Sequence, residues 1–355
     1  MTGKLQILHV TECYSAGVGA VINAYARNLG EVDHHVLYVG TMDPTEELFV
    51  SSAILPDGML ARAQAVKAAV RRLRPDALHA HSSWAGVYAR LLPVGVPVIY
   101  EPHCLSFERP DLPRYLRAAF RWAEQALSGR TSAFVALTRR EADLLEGLAK
   151  RRAETHLVTN TSSVDPDGPH RWSFGRSKTV LMSGRIAAQK DPRFFADTAR
   201  RVARLDPTVT FRWLGDGEPE LASLLIDAGV EVTGWLSKDE VAAELARCGS
   251  YLHSGSYEGL PLSVLDACHL GAPIVVRDIP AFAGSGLRTV VTPADAAAAV
   301  VELCSAENAQ RAVDAAQTLR LLSTDANQKI ELAALYERTT GRPVGDRPVP
   351  AWRSA

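Results

Sequence analysis

Two carboxylates and two cations stand at spacings that could hold a sugar joined to a diphosphate. Glu258 and Asp266 lie eight positions apart in the stretch 254–276, Glu258 before Gly259-Leu260-Pro261 and Asp266 inside the apolar run that follows. The stretch reads as a loop, a short helix, a Gly-Ala-Pro turn and a strand. Pro261 suits the first helical position, where a missing N–H costs little, and Gly271 suits the position just past the end. A carboxylate beside exposed helix N–H groups can grip hydroxyls while those N–H groups hold an anion. Arg185 and Lys190 flank a second loop, 183–191, after another apolar run. A guanidinium and an ammonium held together there are what a departing diphosphate needs, because negative charge builds on it as its bond to the sugar breaks. The plainer alternative is a solvated surface pair, and the position after a strand favours function.

Other polar residues also follow apolar runs. Gly17, Val18 and Gly19 lie where a loop turns into a helix, so backbone N–H groups there could face a phosphate. The spacing is not the G-x-G-x-x-G dinucleotide fingerprint, since position 22 is Ile22, and a tight turn explains the glycines equally. His79-Ala80-His81 and Glu101-Pro102-His103 end consecutive strands. No Cys or carboxylate stands at zinc-type spacing from the histidine pair, so His79 reads as structural and His103 as a contact to sugar or phosphate. Asp165-Pro166-Asp167 has a metal-binding spacing, but turn chemistry explains it better and no metal is expected.

The elements that must position these residues alternate. Strand-length apolar runs cover 5–10, 35–39, 76–79, 97–100, 133–137 and 155–158, with helical patterns following 17–19 and over 61–73, 83–92 and 113–127. Periodicity stops between 160 and 177, then resumes with strands at 179–183, 208–214, 230–232, 250–253, 274–276 and 289–292. The helices of this half are expected at 192–205, 220–228, 239–248, 294–304, 306–322 and 325–339. Such βαβ alternation implies two parallel sheets covered by helices on both faces. The expected organisation is two Rossmann-like doubly wound domains, 1–165 and 166–340, facing across a cleft, with a poorly ordered tail at 341–355.

Composition narrows the function classes. A net charge of −1 over 355 residues argues against a general nucleic-acid binder. Five scattered cysteines without a CxxC pair suggest neither a disulfide framework nor a zinc site, and a reducing compartment fits. No run of about 20 apolar residues spans a membrane, and a cytoplasmic location is expected. The segment 109–152 carries ten Lys/Arg against five acids. Arg114, Arg117 and Arg121 share one helix face opposite a stripe of Leu112, Leu116, Phe120 and Leu127. This reads first as a solvated face whose stripe packs on the sheet, with weak peripheral contact to an anionic membrane as the alternative.

Taken in order, these pieces resemble the retaining GT-B glycosyltransferases of family 4, the glycosyl transferases group 1. The resemblance covers roughly 5–340. The family's E-x7-E motif is matched by Glu258 and Asp266, its G-R-x-x-x-x-K element by Gly184, Arg185 and Lys190, and a G-D-G strand end by 215–217. Val230, Gly234 and Trp235 match a V-x-x-x-G-W/F element. The resemblance implies the GT-B fold and a retaining, metal-independent transfer from a UDP- or GDP-linked sugar to an acceptor hydroxyl. It implies that Arg185 and Lys190 bind the diphosphate and that Glu258 contacts sugar hydroxyls. The backbone of Gly259, Leu260, Leu262 and Ser263 would lie near sugar and phosphate, with Asp266 at the ribose and Trp235 near the base. Gly17–Gly19 would approach the diphosphate and His103 the transferred sugar. Departures from the pattern are Asp266 for the usual Glu, Ala16 for the first of a glycine pair, Cys104 after the histidine, and Asn160-Thr161-Ser162-Ser163 in place of N-G-V-D. Competing readings are a GT-B-like nucleotide-sugar epimerase and a non-catalytic nucleotide-sugar-binding partner.

Overall fold

The computed structural model describes residues 3–15, 17–40, 43–149, 153–165 and 168–344. The chain divides into two units, one of residues 1–159 with 325–355 and one of 160–324. The first is built on β1 (Gln6–Thr11), β2 (Asp33–Tyr38), β3 (Ser51–Ile54), β4 (Ala77–His81), β5 (Val98–Glu101), β6 (Ala133–Ala136) and β7 (Glu154–Leu157). These pair in parallel in the order β3-β2-β1-β4-β5-β6-β7. Its helices are α1 (Gly17–Asn28), α2 (Met59–Leu73), α3 (Ser83–Leu91), α4 (Arg114–Leu127) and α5 (Arg139–Leu148). Helices on both faces explain why β1, β4 and β5 read as near-continuous apolar runs, and Leu8, Val10, Leu78, Ala80, Tyr100 and Phe134 are buried in one cluster.

The second unit holds β8 (Thr179–Ser183), β9 (Thr210–Leu214), β10 (Val230–Val232), β11 (Ser250–His253), β12 (Ile274–Arg277) and β13 (Arg288–Val290). They form a parallel sheet in the order β10-β9-β8-β11-β12-β13. The helices are α6 (Pro192–Leu205), α7 (Pro219–Ile226), α8 (Lys238–Arg247), α9 (Leu262–Leu270), α10 (Pro293–Glu302), α11 (Ala306–Ala315) and α12 (Gln317–Leu322). In each sheet the winding reverses beside the first strand, between β1 and β4 and between β8 and β11. Ligand crevices of open α/β sheets form at the carboxyl ends of such strand pairs. Those ends carry Glu12, Gly17–Gly19 and His81 in one unit, and Arg185, Lys190 and Glu258 in the other.

The structure corrects the expected boundaries. The division falls after Thr159 and not at 165, and α13 (Asp325–Thr340) returns to the first unit instead of closing the second. There Tyr336 is fully buried with its hydroxyl 3.1 Å from His79 Nδ1, and Gln328 donates to Thr159 O at 3.0 Å. An amphipathic pattern predicts that a helix has a buried face, not which sheet receives it. β3 and α5 are additions to the expected elements, and the helix expected over 306–322 breaks at Ala316. Pro166 and Asp167 of the D-x-D triplet, Ala16, residues 150–152 of the basic segment and the tail from 345 onward lie outside the described residues. Among the described residues no helix is long and apolar enough to cross a membrane.

Candidate active site

In the second unit two loops leave adjacent strand ends and are zipped together. Residues 184–191 follow β8 and residues 254–261 follow β11. Ser256 N donates to Gln189 O at 2.9 Å, Ser254 Oγ to Lys190 O at 2.7 Å, and Gln189 Nε2 to Tyr257 O at 3.0 Å. This frame sets Lys190 Nζ 2.6 Å from Glu258 Oε1, with side chains 17% and 8% exposed. His253 Nε2, fully buried at the end of β11, stands 3.4 Å from the same oxygen. Burial alone would raise the Glu258 carboxyl, but the Lys190 ammonium and His253 outweigh it and hold it at about 2. Glu258 is therefore an ionised acceptor throughout the neutral range. Arg185 is exposed, and among the described residues no carboxylate pairs with it.

The G-D-G element supports the Arg185 loop from below. Ile186 N donates to Asp216 O and Glu218 N to Ile186 O, both at 2.9 Å. A Cβ on Gly215 would sit 2.2 Å from Gly184 O, and one on Gly217 would sit 2.1 Å from Ile186 O. These glycines are required because two backbones pass at contact distance. Trp213 Nε1 donates to Gly184 O at 2.8 Å, and Trp235, beyond Gly234 on the neighbouring strand end, is 63% exposed. Asp191 caps α6 through Phe194 N and pairs with Arg277, so the loop is pinned at both ends.

Helix α9 begins at Leu262, with Pro261 just before it as cap and Gly271 closing it at φ 81°. Gly259 and Ser263 are half-buried, while Leu260 is buried and its carbonyl accepts from Asn160 Nδ2 at 2.9 Å. Asp266 is buried beneath. Its Oδ1 accepts from Ser162 Oγ at 2.9 Å and Ser163 N at 2.6 Å, and its Oδ2 from Ser163 Oγ at 2.8 Å. Burial raises its carboxyl despite these donors. Both oxygens expected at a ribose are thus engaged by 162–163, Oδ2 by Ser163 Oγ and Oδ1 by the remaining donors.

The first unit assembles a chain of histidines that the sequence shows only in part. Register places His9 opposite His79, and His81 opposite Glu101. His34 Nε2 lies 3.1 Å from Leu29 O, His34 Nδ1 2.9 Å from His9 Nε2, His9 Nδ1 2.9 Å from His81 Nε2, and His81 Nδ1 3.1 Å from His103 Nε2. A carbonyl only accepts, so His34 carries its proton on Nε2, and each following neutral ring must donate from Nε2 to Nδ1 of the ring before it. The series ends with His103 Nδ1 facing Glu101 Oε1 at 3.3 Å. One further proton at that junction makes the contact attractive. Burial works to raise the Glu101 carboxyl, but His103, His79 and His81 hold it well below the usual carboxylate range. Tyr25 OH donates to Glu101 Oε1 at 2.9 Å, and His79 Nε2 lies 3.2 Å from Oε2.

His9, His79 and His81, and separately His81, Glu101 and His103, bring ligand atoms within 4.8 Å of one another, as a divalent cation would require. Hydrogen bonds account for His9–His81 and His81–His103, whereas His79 Nε2 and Glu101 Oε2 are buried without a hydrogen-bond partner among the described residues. His103 has φ 58° and an 11% exposed ring whose Nε2 faces His81 and whose Nδ1 faces Glu101. Gly17 opens α1 in open space, Val18 is half-buried, and a Cβ on Gly19 would lie 1.8 Å from Tyr14 O, so Gly19 is needed for packing of the turn. Sequence reasoning passed over His9, His34, His253 and Gln189 and gave Glu101 no role. The strand-end position of His253, next to Ser254, was the available signal.

Comparison with known proteins agrees with this architecture. Residues 16–161 match the family model described as "Glycosyl transferase 4-like domain", and 177–308 match "Glycosyl transferases group 1". The chain is 22% identical to the UDP-Gal:alpha-D-GlcNAc-diphosphoundecaprenol alpha-1,3-galactosyltransferase of Escherichia coli, covering 59% of each protein. It is 25% identical to the alpha-D-kanosaminyltransferase of Streptomyces kanamyceticus over 59% of this chain and 62% of that protein. The matches thus span about three fifths of the length of these curated relatives. Among solved structures, sucrose-phosphate synthase from Thermosynechococcus elongatus superposes with a TM-score of 0.76 at 13% identity, over 94% of this chain and 99% of that one. Anabaena Alr3699/HepE, solved in complex with UDP-glucose, gives 0.76 at 16% identity, over 94% and 100%. The two matched models cover both units in order, and the chain belongs to the group 1, family 4 glycosyltransferases of GT-B fold.

Proposed function

We propose that the protein moves a sugar from a nucleotide-diphosphate sugar, UDP- or GDP-linked, to an acceptor hydroxyl, with retention at the anomeric carbon and without a metal. The observation that carries this reading is the Lys190–Glu258 pair, held between two zipped strand-end loops beside the exposed Arg185. In this reading Arg185 and Lys190 take the diphosphate, together with the free N–H groups at the start of α9. Glu258, ionised at any neutral pH, accepts from sugar hydroxyls. Negative charge growing on the leaving nucleotide is met by fixed cations, so catalysis is positioning and charge stabilisation. His103 and Gly17–Gly19, at the carboxyl end of the other sheet, serve the transferred sugar and the diphosphate. Trp235 lies near the base.

Isothermal calorimetry with UDP- and GDP-sugars, followed by product analysis over an acceptor panel, tests the proposal. Donor binding, turnover that survives EDTA, and an unchanged anomeric configuration by proton NMR are expected. Donor isomerised with no acceptor present would replace the transferase by an epimerase. Binding without turnover across the panel would leave a non-catalytic partner.

A further inference from the structure

The last residue of β11 is a polar side chain in a place where nothing satisfies it. His253 follows Ser250-Tyr251-Leu252 and is fully buried. Alternation along the strand puts its ring on the same face as Tyr251. The two rings stack with centroids 6.3 Å apart, and Phe282 meets His253 edge-on at 5.6 Å. Neither ring nitrogen has a hydrogen-bond partner among the described residues. A buried imidazole left in this way costs stability, and an apolar side chain would serve the packing without that cost.

What the ring faces is Glu258. His253 Nε2 stands 3.4 Å from Oε1, just beyond a good hydrogen bond. Gly255 keeps the line between them open, since a Cβ there would lie 2.8 Å from His253 Nε2 and 3.0 Å from Glu258 Oε1. The carboxylate favours the tautomer with its proton on Nε2. Oε1 is taken by Lys190 Nζ at 2.6 Å, and Oε2 accepts from Gln189 Nε2 at 3.3 Å. Lys190 sits on a flexible stem and is the group proposed above for the diphosphate. Any movement of its ammonium toward phosphate leaves Oε1, on a side chain only 8% exposed, short of a partner. His253 Nε2 is the donor that stands behind it. Contracting that contact by about half an ångström completes a hydrogen bond.

We propose that His253 is a positioning residue that takes over Glu258 Oε1 when Lys190 turns to the diphosphate of the nucleotide sugar, so that the carboxylate stays aimed at the sugar hydroxyls. The inference rests on the transferase reading of this site. It accounts for a polar ring without a partner in the free protein, because its hydrogen bond is made only in the complex. The experiment is calorimetry with UDP and with GDP, beside urea unfolding of the free protein, on the parent, His253→Met and His253→Gln. Met and Gln have the same length, and only the Gln amide can donate near the position of Nε2. The Met variant is expected to unfold at the parent's urea midpoint or above it, since it loses no bond made in the free state. It should bind the preferred nucleotide roughly tenfold more weakly, and the Gln variant should regain most of that affinity. In the parent with ¹⁵N-labelled histidine, the nucleotide should move the His253 Nε2 proton resonance downfield. A Met variant that binds like the parent, or a resonance that does not move, would overturn this role and leave the transferase reading standing. A urea midpoint that falls with the affinity, or a Gln variant as weak as the Met variant, would make His253 a packing residue. A parent that binds neither nucleotide, nor any nucleotide sugar, would remove the transferase reading and this role with it.

Discussion

Lys190 Nζ and Glu258 Oε1 lie 2.6 Å apart although 68 positions separate them in the chain. The pair joins the two loops that the strand order brings side by side. Removing the cation should strand a nearly buried carboxylate. Lys190→Met is expected to lower unfolding stability by about 3 kcal/mol, the low end for a broken buried pair because Lys190 keeps some solvent contact. Glu258→Gln keeps the shape and leaves a neutral acceptor, so it should cost less stability and about 100-fold in kcat/KM. Urea unfolding and donor kinetics on the two variants check this. A Lys190→Met protein as stable as its parent would show that the contact is inert.

Gly215 offers a steric test of the Arg185 loop. It sits at φ 146°, and a Cβ there would approach Gly184 O to 2.2 Å, which is backbone and cannot swing away. Gly215→Ala must separate the G-D-G turn from the loop. Overpacking of this kind costs about 1–3 kcal/mol, and Arg185 moves with its loop, so donor KM should rise together with the loss in melting temperature. Gly17→Ala, with nothing within 4 Å of the added atom, is the control expected to melt like the parent.

The strand-end loops of the second unit were legible in the sequence because buried parallel strands announce themselves as apolar runs. Thr179–Ser183, Val230–Val232 and Ser250–His253 fall where the pattern places them, and each polar motif follows one. β3 escaped because it is an edge strand, half exposed, with Ile54 69% open to solvent. α5 escaped although Thr138 and Glu141 spell a helix start and Thr138 does accept from Glu141 N. The histidine chain was visible only where two members share a strand. His9 and His34 join through register between β1, β2 and β4, which no local pattern encodes. The return of α13 to the first sheet is a tertiary choice of the same kind.

Acid should unfold the first unit through those histidines. Burial drives His34 down to about 4 and His81 down to about 3 from the ordinary 6.5. Depressed histidines bind fewer protons folded than unfolded, so stability is fully present above about pH 6.5 and falls as pH drops toward 4. His34 alone should cost about 2 kcal/mol between pH 7 and pH 5. Glu101, held low by its histidine neighbours, adds loss in the same direction at lower pH. Urea midpoints measured at pH 7 and pH 5, with His34→Gln flattening the difference, are the check. A midpoint that does not move would mean that the rings titrate normally.

Asp266 separates two roles that its position alone leaves joined. Four donors reach its carboxylate from Ser162, Ser163 and Val164, so its first task is to fasten the segment that opens the second unit onto α9. Asp266→Ala leaves the Ser163 amide and hydroxyl without their acceptor, while the Val164 amide keeps Ser162 Oγ at 3.3 Å. Each hydrogen bond to a charged group contributes about 1.5–3 kcal/mol, so a loss of about 3 kcal/mol in urea unfolding is expected. Ser163→Ala should cost less, since its amide still reaches Oδ1, and the double variant should cost little more than Asp266→Ala alone. Asp266→Asn keeps one acceptor oxygen, and the Ser163 hydroxyl can turn to accept from its amide, so most of the stability should return. Nucleotide affinity by calorimetry on the Asn variant then reads the ribose separately. If affinity falls while the melt is restored, the carboxylate contacts the ribose directly. If both recover together, the carboxylate serves the segment alone, and the second acid of the motif acts on the donor only through the loop it holds in place.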